Sequence, residues 1–476
     1  MTDLVGGAAH ADAVARLTAS YDAIPPGQPV RLAKRTSNLF RARSRADVPG
    51  LDVSGLAGVI SVDVGAEGAT ADVQGMCSYE DLVDVTLPRG YIPYVVPQLR
   101  SITLGGAVTG LGIESTSFRN GLPHESVLEM DVLTGAGEVV TTRPGDDLFD
   151  AFPNSYGSLG YATRIRIRLE KVPGYVDLRH LRFDDLDALA KTIEVLVEQG
   201  EHDGVRVDGL DGVVFEPGEA YLTLATWREG VSTSSTTRDG STTRDGSTSD
   251  YTGMEPYYRS LQRRESDTLT MYDYLWRWDT DWFWCSGAFG LHDPRIRRLW
   301  PRRWRRSDVY HRLVGLENRF GVMARLDRAR GRPARERVIQ DIEVPVDQVA
   351  TFLRWFDVNI GMRPVWLCPL RLHDADGPGS ARAWPSYPLR TGTTYVNVGF
   401  WGTVPIGPGA RDGDKNRAVE RCVTELGGHK SLYSDAYYDP ETFDRLYGVA
   451  NQRRVKQHTD PDNRLTGLYE KAVNRR

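Results

Sequence analysis

Cysteine is scarce in this chain, and the cysteines present stand far apart. Cys77, Cys285, Cys368 and Cys422 are the only four in 476 residues, and none belongs to a Cys-x-x-Cys pair. Closely spaced cysteines build zinc sites and redox dithiols, so the sequence argues against both and predicts no bound metal. Isolated cysteines are typical of a reducing compartment, which predicts a cytoplasmic location.

Long apolar runs and a large charge excess are also missing. No window approaches the roughly 18 consecutive apolar residues that cross a bilayer. The chain begins Met-Thr-Asp-Leu without a basic region and apolar run, so we expect no signal peptide. The formal net charge is only −5, and we therefore expect no nucleic-acid partner. A length of 476 residues indicates two or three domains.

What the sequence does have is a glycine-rich segment, residues 97–131, around which the rest is organised. Its glycines and neighbouring hydroxyl residues are Gly105, Gly106, Gly110, Gly112, Gly121, Thr103, Thr109, Ser115, Thr116 and Ser117. Glycine lets backbone approach a ligand closely, and a run of N–H and hydroxyl groups suits a diphosphate. The segment matches neither the Walker loop nor the dinucleotide fingerprint. A plain loop joining strands is the alternative interpretation.

The residues after this segment carry a second pattern. A strand is predicted at 127–133, a turn at 135–137 and a return strand at 138–142. Earlier, Ser78 and Asp81 have the spacing of a helix N-terminal cap. Residues 235–246 repeat Ser-Thr-Thr-Arg-Asp-Gly twice, and so polar a tract predicts a mobile loop over 230–252.

The order TLGG, TGLGIES, a strand hairpin and LFDAFPNSYGSLGYATRIRIRL resembles the FAD-binding domain of the vanillyl-alcohol oxidase type. More narrowly, TLGGAVTGLGIES resembles the flavin segment of the sterol Δ24-reductase (Diminuto/seladin) family. Further matches are VIQDIEVP at 338–345, RPVWLCPL at 363–370, YVNVGFWG at 395–402 and LYSDAYYDPETFDRLY at 432–447.

This resemblance implies an α+β fold in three parts. A two-part PCMH-type FAD-binding domain would occupy 1–175, and an α+β substrate or cap domain with a central antiparallel sheet would occupy 176–430. The C-terminal segment, 431–476, would return to the flavin site. The implied cofactor-binding residues are Arg35, Thr36, Ser37, Asn38, Thr103, Leu104, Gly105, Gly106, Thr109, Gly110, Gly112, Ile113, Glu114, Ser115, Gly157, Gly160 and Ala162.

The positions of the histidines in the sequence predict how FAD is attached. Flavoproteins that resemble this chain often tether FAD through a histidine in the first phosphate loop, here residues 34–38. No histidine occurs between His10 and His124. We therefore expect non-covalent FAD.

The most unusual composition lies at residues 272–306. Six of the eleven tryptophans fall there, and seven of the twelve residues from 295 to 306 are arginine. Tryptophan favours the headgroup level of a membrane, and clustered arginine is attracted to anionic lipid. We expect a peripheral membrane face that admits a lipid substrate. The alternative is an aromatic core with a solvated basic rim.

The resemblance implies NADPH-driven reduction of a carbon–carbon double bond. An isolated alkene cannot stabilise a carbanion, so protonation should come first and leave a tertiary cation for hydride capture. The site therefore needs an acid, aromatic faces and little water. Asp435 between Tyr433 and Tyr437 is the preferred acid cluster, because alternate residues of an extended segment share one face. Glu114 is the second candidate, and Trp366 and Trp401 are candidates for the pocket wall.

Alternatives remain at each of these points. The Asp435 cluster is otherwise a surface turn, and Glu114 otherwise makes a ribityl or structural hydrogen bond. The substrate is predicted to be a 10-methylene fatty acyl chain in phospholipid, as for the actinobacterial reductases of this kind, with a methyltransferase as the partner that supplies it. The eukaryotic sterol reductases carry an N-terminal membrane anchor, which we do not expect in this chain. This difference and the basic-aromatic segment favour an acyl chain over a sterol side chain. An oxidase and a non-catalytic flavin-binding scaffold are further possibilities.

Overall fold

A computed structural model describes residues 4–33, 40–41, 50–66, 68–230, 235–238, 242–243, 247–320, 333–374, 377 and 379–475. Two large antiparallel sheets dominate it. Mixed helices and antiparallel strands confirm the predicted α+β fold class. The division into segments 1–175, 176–430 and 431–476 stays a prediction.

The first sheet is built from six strands in the order β1-β2-β6-β4-β5, with β3 also paired to β6. Its strands are β1 Val59–Gly65, β2 Gly68–Gln74, β3 Tyr91–Pro93, β4 Val127–Leu133, β5 Val139–Thr142 and β6 Tyr161–Lys171. Along β6, Ile165 and Ile167 are fully buried, while the alternate Arg164 pairs with Asp131 at 2.6 Å and Asp72 at 2.6 Å. This alternation gives the sheet one apolar face.

The second sheet has eight strands in the order β14-β7-β11-β10-β16-β17-β15-β18. The remaining strands of the chain are β7 Tyr175–Phe183, β8 Glu201–His202, β9 Val205–Arg206, β10 Gly209–Glu216, β11 Glu219–Arg228, β12 Ser235–Thr236, β13 Thr242–Thr243, β14 Ser266–Thr270, β15 Arg335–Pro345, β16 Val365–Leu370, β17 Tyr395–Pro405 and β18 His429–Lys430. The predicted central antiparallel sheet is thereby confirmed. Two-stranded ribbons β8-β9 and β12-β13 complete the pairing.

Helices pack on these sheets and connect their strands. The α-helices are α1 Gly6–Asp22, α2 Tyr79–Thr86, α3 Leu104–Gly110, α4 Ser117–Asn120, α5 Asp147–Ala151, α6 Leu186–Gln199, α7 Tyr257–Ser260, α8 Met271–Leu275, α9 Pro294–Leu299, α10 Ser307–Phe320, α11 Val349–Asn359, α12 Asp414–Glu425, α13 Pro440–Tyr447, α14 Val449–Thr459 and α15 Leu468–Ala472. Short 3-10 helices occupy Leu87–Arg89, Pro123–Ser126, Asp279–Asp281, Cys285–Phe289, Arg302–Trp304 and Val346–Gln348. Across the described ranges, every helix falls short of the length and apolarity that a bilayer crossing demands.

The expected capping and hairpin signals are present in the structure. Ser78 Oγ accepts the backbone N–H of Asp81 at 3.1 Å and so caps α2. Strands β4 and β5 pair antiparallel across the predicted turn. Both predictions are confirmed. Each depended on residues close together in the sequence, such as the serine that caps a helix.

The C-terminal residues run beside both sheets. β18 pairs with β15, and the N–H of Ser431 then donates to the carbonyl of Asp341 at 3.0 Å. Further on, Lys471 Nζ donates to the carbonyl oxygens of Tyr156 and Gly157 at 3.1 and 2.8 Å. Residues 431–475 therefore contact the segment that follows the glycine-rich stretch.

The tryptophan-rich segment is not one open face. Trp276 and Trp278 are 1% exposed and Trp282 is 5% exposed. Arg277 and Arg297 are also buried. The first part of the segment is therefore mainly aromatic core, which is the alternative interpretation, and the fully exposed residues lie mostly in its later part.

Candidate active site

A cavity of about 570 Å³ opens between the glycine-rich segment, the second sheet and the C-terminal residues. This volume falls within the roughly 300–1,000 Å³ usual for cofactor and small-molecule sites. Its walls are formed by Arg31, Leu32, Phe40, Arg41, Met76, Pro97, Gln98, Leu99, Ile102, Thr103, Gly105, Gly106, Ala107, Thr109, Gly110, Leu111, Gly112, Ile113, Tyr156, Gly157, Gly160, Tyr161, Ala162, Trp282, Phe283, Asp341, Trp366, Trp401, Ser431, Tyr433, Thr466 and Lys471.

The glycine-rich segment is partly helical, which differs from the alternative interpretation of a plain loop joining strands. Thr103 caps α3 by accepting the N–H of Gly106 at 3.2 Å. The N–H of Gly105 donates to the carbonyl of Gly75 at 3.0 Å, and a Cβ on Gly105 would lie 2.6 Å from that oxygen. The first N–H groups of this helix are thus already bonded to protein. Gly105 is needed for close backbone packing rather than as a free phosphate donor.

The structure brings many of the predicted cofactor residues to one cavity. Those on its wall are Thr103, Gly105, Gly106, Thr109, Gly110, Gly112, Ile113, Gly157, Gly160 and Ala162. Leu104, Glu114 and Ser115 are buried and lie away from the wall. Arg35, Thr36, Ser37 and Asn38 lie outside the described residues.

The cavity wall fits an anionic, amide-rich cofactor such as FAD. Gln98 is 4% exposed, and its Nε2 has no hydrogen-bond partner among the described residues. Because an unpaired buried donor is costly, Gln98 is suited to a carbonyl acceptor on a ligand. Arg31, Arg41 and Lys471 lie on the same wall. Three basic side chains suit a diphosphate, because phosphate oxygens bind most strongly to positively charged donors.

Aromatic side chains form another part of the wall. The ring centroid of Phe283 lies 4.4 Å from that of Trp401 and 5.4 Å from that of Trp366. Trp401 Nε1 donates to the hydroxyl of Tyr433 at 2.9 Å. Tyr433, Trp366 and Trp401 were all predicted near the site, and all three line the cavity. Such faces are apolar and also stabilise a nearby positive charge.

Asp341, on β15, is the one acidic side chain that lines the cavity among the described residues. It is half-buried, because part of its surface faces the cavity. Burial, and then the neighbouring carboxyl of Glu343, raise the pKa of Asp341 to about 8. Asn397 Nδ2 donates to Asp341 Oδ1 at 3.4 Å. Asp341 is therefore a protonated acid at neutral pH.

A second carboxyl lies two residues along the same strand. Glu343 is fully buried, and burial raises its pKa to about 8. Ser431 Oγ donates to Glu343 Oε1 at 2.9 Å, and His429 Nδ1 lies 3.2 Å from Oε2. Burial lowers the pKa of His429 to about 3, so this histidine is neutral. Since Ser431 also lines the cavity, it joins the buried carboxyl of Glu343 to the wall.

The predicted acid cluster is separated in the structure. A turn at residues 432–434 breaks the extended geometry on which the prediction rested. Tyr433 reaches the cavity, whereas Asp435 lies 3.5 Å from Arg337 and 3.4 Å from Arg475. Tyr437 packs under Arg417 instead. Asp435 and Tyr437 therefore do not line the site, and the sequence interpretation missed Asp341.

Glu114 forms a buried ionic network rather than part of the cavity wall. Its Oε1 accepts Ser115 Oγ at 2.7 Å and lies 3.2 Å from Arg277. Arg277 also pairs with Asp211 at 2.9 Å. Burial raises the pKa of Glu114, and the charge of Arg277 opposes that rise. This arrangement matches the structural alternative for Glu114, because it ties the glycine-rich segment to β10 through Arg277, which follows α8.

Comparison with known proteins identifies an FAD binding domain in the first part of the chain. Residues 7–143 match the model of the FAD binding domain. The Delta(24)-sterol reductase of Arabidopsis thaliana is 25% identical over 428 residues, covering 81% of this chain and 70% of that protein. The chain is an FAD-dependent oxidoreductase.

Other relatives agree with this assignment. The Delta(24)-sterol reductase of Homo sapiens is 23% identical over 392 residues, covering 80% of this chain and 70% of that protein. Cytokinin dehydrogenase 1 of Oryza sativa subsp. japonica is 31% identical over 218 residues, covering 44% of this chain and 40% of that protein. The sterol reductases thus match far more of this oxidoreductase than the cytokinin dehydrogenase does.

We expect the bound FAD to leave the polypeptide on acid precipitation. Among the described residues of the cavity wall there is no histidine or cysteine, and these are the side chains that commonly tether a flavin. The measurement is the visible absorbance of the supernatant and of the washed pellet. Yellow colour retained in the washed pellet would contradict non-covalent binding.

Replacing Gly110 with valine should lower the affinity of this oxidoreductase for FAD by at least about fivefold, since overpacking costs about 1–3 kcal/mol. A Cβ at Gly110 would lie 3.2 Å from the ring of Tyr156, whose hydroxyl donates to the Gly110 carbonyl at 2.9 Å. The measurement is the ratio of flavin to protein absorbance. Gly174→Val is the matched control, because a Cβ there meets nothing within 4 Å. Equal flavin content in both variants would remove Gly110 from the binding wall.

Proposed function

We propose that this chain uses FAD to saturate a non-activated carbon–carbon double bond in a lipid, with NADPH as the electron donor. The FAD-binding domain and the similarity to sterol reductases support the reductase class. The observation that carries the proposal is Asp341, a protonated acid on an aromatic wall of the cavity that the glycine-rich segment also lines.

The chemistry of an isolated alkene explains why this arrangement is suitable. Asp341 donates a proton to the less substituted carbon, which leaves positive charge on the tertiary carbon. Phe283, Trp366 and Trp401 lie on the same wall, and their ring faces stabilise that charge as it develops. Reduced FAD, when bound, supplies the hydride that completes the saturation. The apolar wall limits water, which would otherwise capture the cation.

Asp341 must regain a proton after each turnover. Glu343 lies on the same face of β15 and contacts Ser431, which reaches the cavity. Burial raises the pKa of both carboxyls to about 8. We assign Glu343 a positioning role: negative charge on its carboxyl raises the pKa of Asp341, and this favours return of the proton to Asp341 between turnovers.

We propose a 10-methylene fatty acyl chain in a phospholipid as the substrate. The cavity of about 570 Å³ must also hold the flavin end of the cofactor, and a single alkyl chain is narrower than a fused ring system. A methyltransferase acting on an unsaturated acyl chain would supply such a methylene group. A sterol Δ24 double bond is the second candidate, supported by the names of the relatives.

The test is lipid mass spectrometry after incubation of the FAD-loaded protein with NADPH. Vesicles carry either a 10-methylene acyl phospholipid or a sterol with a Δ24 double bond. We expect the methylene lipid to gain two hydrogens while the sterol stays unchanged. If only the sterol is converted, the sterol Δ24 double bond is the better candidate for the substrate. Flavin that NADPH does not bleach under anaerobic conditions would instead indicate a scaffold, and rapid reoxidation by oxygen would indicate an oxidase.

A further inference from the structure

We propose that residues 293–304 form a docking tip that binds the protein to an anionic lipid surface. This inference rests on the proposed function only in that the substrate is a lipid. The tip consists of α9 and the 3-10 helix that follows it, Arg302–Trp304. Its apolar and basic side chains point to a bilayer surface as the partner.

Large apolar side chains are exposed on this tip at unusual density. Leu299 is 86% exposed, Trp304 is 46% exposed and Ile296 is 44% exposed. Only eight large hydrophobic residues of the described chain are exposed in this way, so three of them fall within nine positions. Scattered apolar residues need no explanation, but a cluster marks an interaction site.

Basic groups surround these apolar residues. Arg295, Arg298 and Arg303 are exposed, and within the described ranges none of the three takes part in an ion pair. Arg302 is exposed as well, although it pairs with Asp250. Exposed arginine beside leucine and tryptophan is the composition that anionic headgroups and the acyl boundary attract.

The tip is held in place by buried arginines on its inner side. Arg297 Nη1 lies 2.5 Å from Asp281 Oδ1, and Arg297 Nη2 donates to the carbonyl of Tyr251 at 2.9 Å. Arg305 Nη2 donates to the carbonyl of Trp300 at 3.1 Å. These contacts divide the arginines into two sets. Arg297 and Arg305 hold the fold, whereas Arg295, Arg298 and Arg303 remain for a partner.

The same chain segment also reaches the candidate active site. Trp282 and Phe283 line the cavity, and the tip begins ten residues later in the sequence. The tip and this part of the cavity wall therefore belong to one continuous segment of the chain. Docking of this kind brings a membrane-borne acyl chain to the protein without its release into water.

Cosedimentation with vesicles tests the tip directly. One variant combines Arg295→Glu, Arg298→Glu and Arg303→Glu, and a second combines Ile296→Ser, Leu299→Ser and Trp304→Ser. The matched control is Val358→Ser, since Val358 is 86% exposed on α11. Vesicles are phosphatidylcholine with or without phosphatidylglycerol. FAD content and thermal unfolding temperature verify that every variant is folded.

We expect the arginine variant to lose affinity for phosphatidylglycerol vesicles by about fivefold for each arginine removed, or about a hundredfold in total. The loss should shrink as salt rises, because screening already weakens the parent. The serine variant should lose affinity at all salt concentrations, and Val358→Ser should bind like the parent. Parent-like binding by both tip variants would overturn the proposal. A difference in sedimentation coefficient between the tip variants and the parent, measured without vesicles, would overturn it too. It would show that the tip binds a second copy of the chain.

This test is independent of the catalytic proposal. Vesicle binding is measured without NADPH or turnover, so a failed docking tip leaves the reductase proposal untouched. In the converse case, vesicle binding without conversion of any alkene would support the tip and contradict the substrate. A methylene lipid dispersed in detergent should be reduced equally by parent and tip variants.

Discussion

Asp341→Asn should slow flavin reoxidation by the alkene by about 10²–10⁴-fold, the usual contribution of general acid catalysis. Reduction of FAD by NADPH should continue near the parent rate, because that step needs no proton donor at the alkene. Stopped-flow absorbance under anaerobic conditions measures the two half-reactions separately. Asparagine keeps the size of the side chain but cannot deliver a carboxylic proton.

Asp435→Asn is the matched control for this experiment. Asp435 was the acid that the sequence favoured, but its carboxylate lies beside Arg337 and Arg475 and away from the cavity wall. We expect both half-reactions of this variant to stay within about twofold of the parent, because the substitution removes no group that touches the reacting atoms. A large loss in Asp435→Asn together with a normal Asp341→Asn would reverse the two assignments.

The pH dependence of the alkene half-reaction follows from the raised pKa of Asp341. Burial holds the proton on Asp341 to about pH 8, and only the protonated form is an acid catalyst. The rate should therefore be constant below that pH and fall as pH rises through it. In Asp341→Asn this decline should disappear.

Arg277→Leu should lower the free energy of unfolding by about 3–5 kcal/mol, the cost of leaving buried charges without their partner. Arg277 is 1% exposed and pairs with both Glu114 and Asp211. Leucine fills part of the space but gives neither carboxylate a donor. Urea denaturation of the FAD-loaded protein is the measurement.

Arg298→Leu serves as the control for the buried arginine. Arg298 is exposed on α9, and exposed substitutions of this kind usually change stability by at most about 0.5 kcal/mol. If Arg277→Leu lowers the free energy of unfolding by less than about 1 kcal/mol, the ionic network contributes little to stability. Glu114 would then be free for a role other than joining the glycine-rich segment to β10.

Much of the fold could be predicted because its signals are local. The turn at 135–137 separates two strand patterns, and Ser78 has the side chain that a helix start requires. The short helix α3 was missed because glycine disfavours helices in sequence-based reasoning. Tertiary packing overrides this preference, since only glycine allows the close approach of Gly105 to Gly75.

The candidate acid was harder to predict than the cofactor wall. The glycines of the wall belong to one continuous segment, so the sequence shows them together. Asp341 lies more than 200 residues away on another sheet. One signal was present: β15 carries Asp341 and Glu343 at alternate positions, so both lie on one face of the strand. Asp435 was the preferred acid because it lies between two tyrosines in the sequence. The turn that separates these side chains is set by tertiary contacts.

The tryptophan-rich segment shows where composition alone is ambiguous. Trp276 and Trp278 complete the core, while Trp304 is exposed near Leu299. Sequence composition is the same for both fates. Trp276 and Trp278 pack against Tyr272, Tyr257 and Phe283, and these contacts are made only in the folded chain.

The most direct test of the central claim is a single anaerobic turnover of the reduced, FAD-loaded protein. Dithionite reduces the flavin, excess reductant is removed, and a 10-methylene acyl phospholipid or its saturated 10-methyl counterpart is added. We predict that the methylene lipid restores the absorbance of oxidised FAD in proportion to 10-methyl product formed, and that the saturated lipid restores none. Flavin that stays reduced with the methylene lipid and with a Δ24 sterol, yet reoxidises at once in air, would contradict a carbon–carbon double-bond reductase.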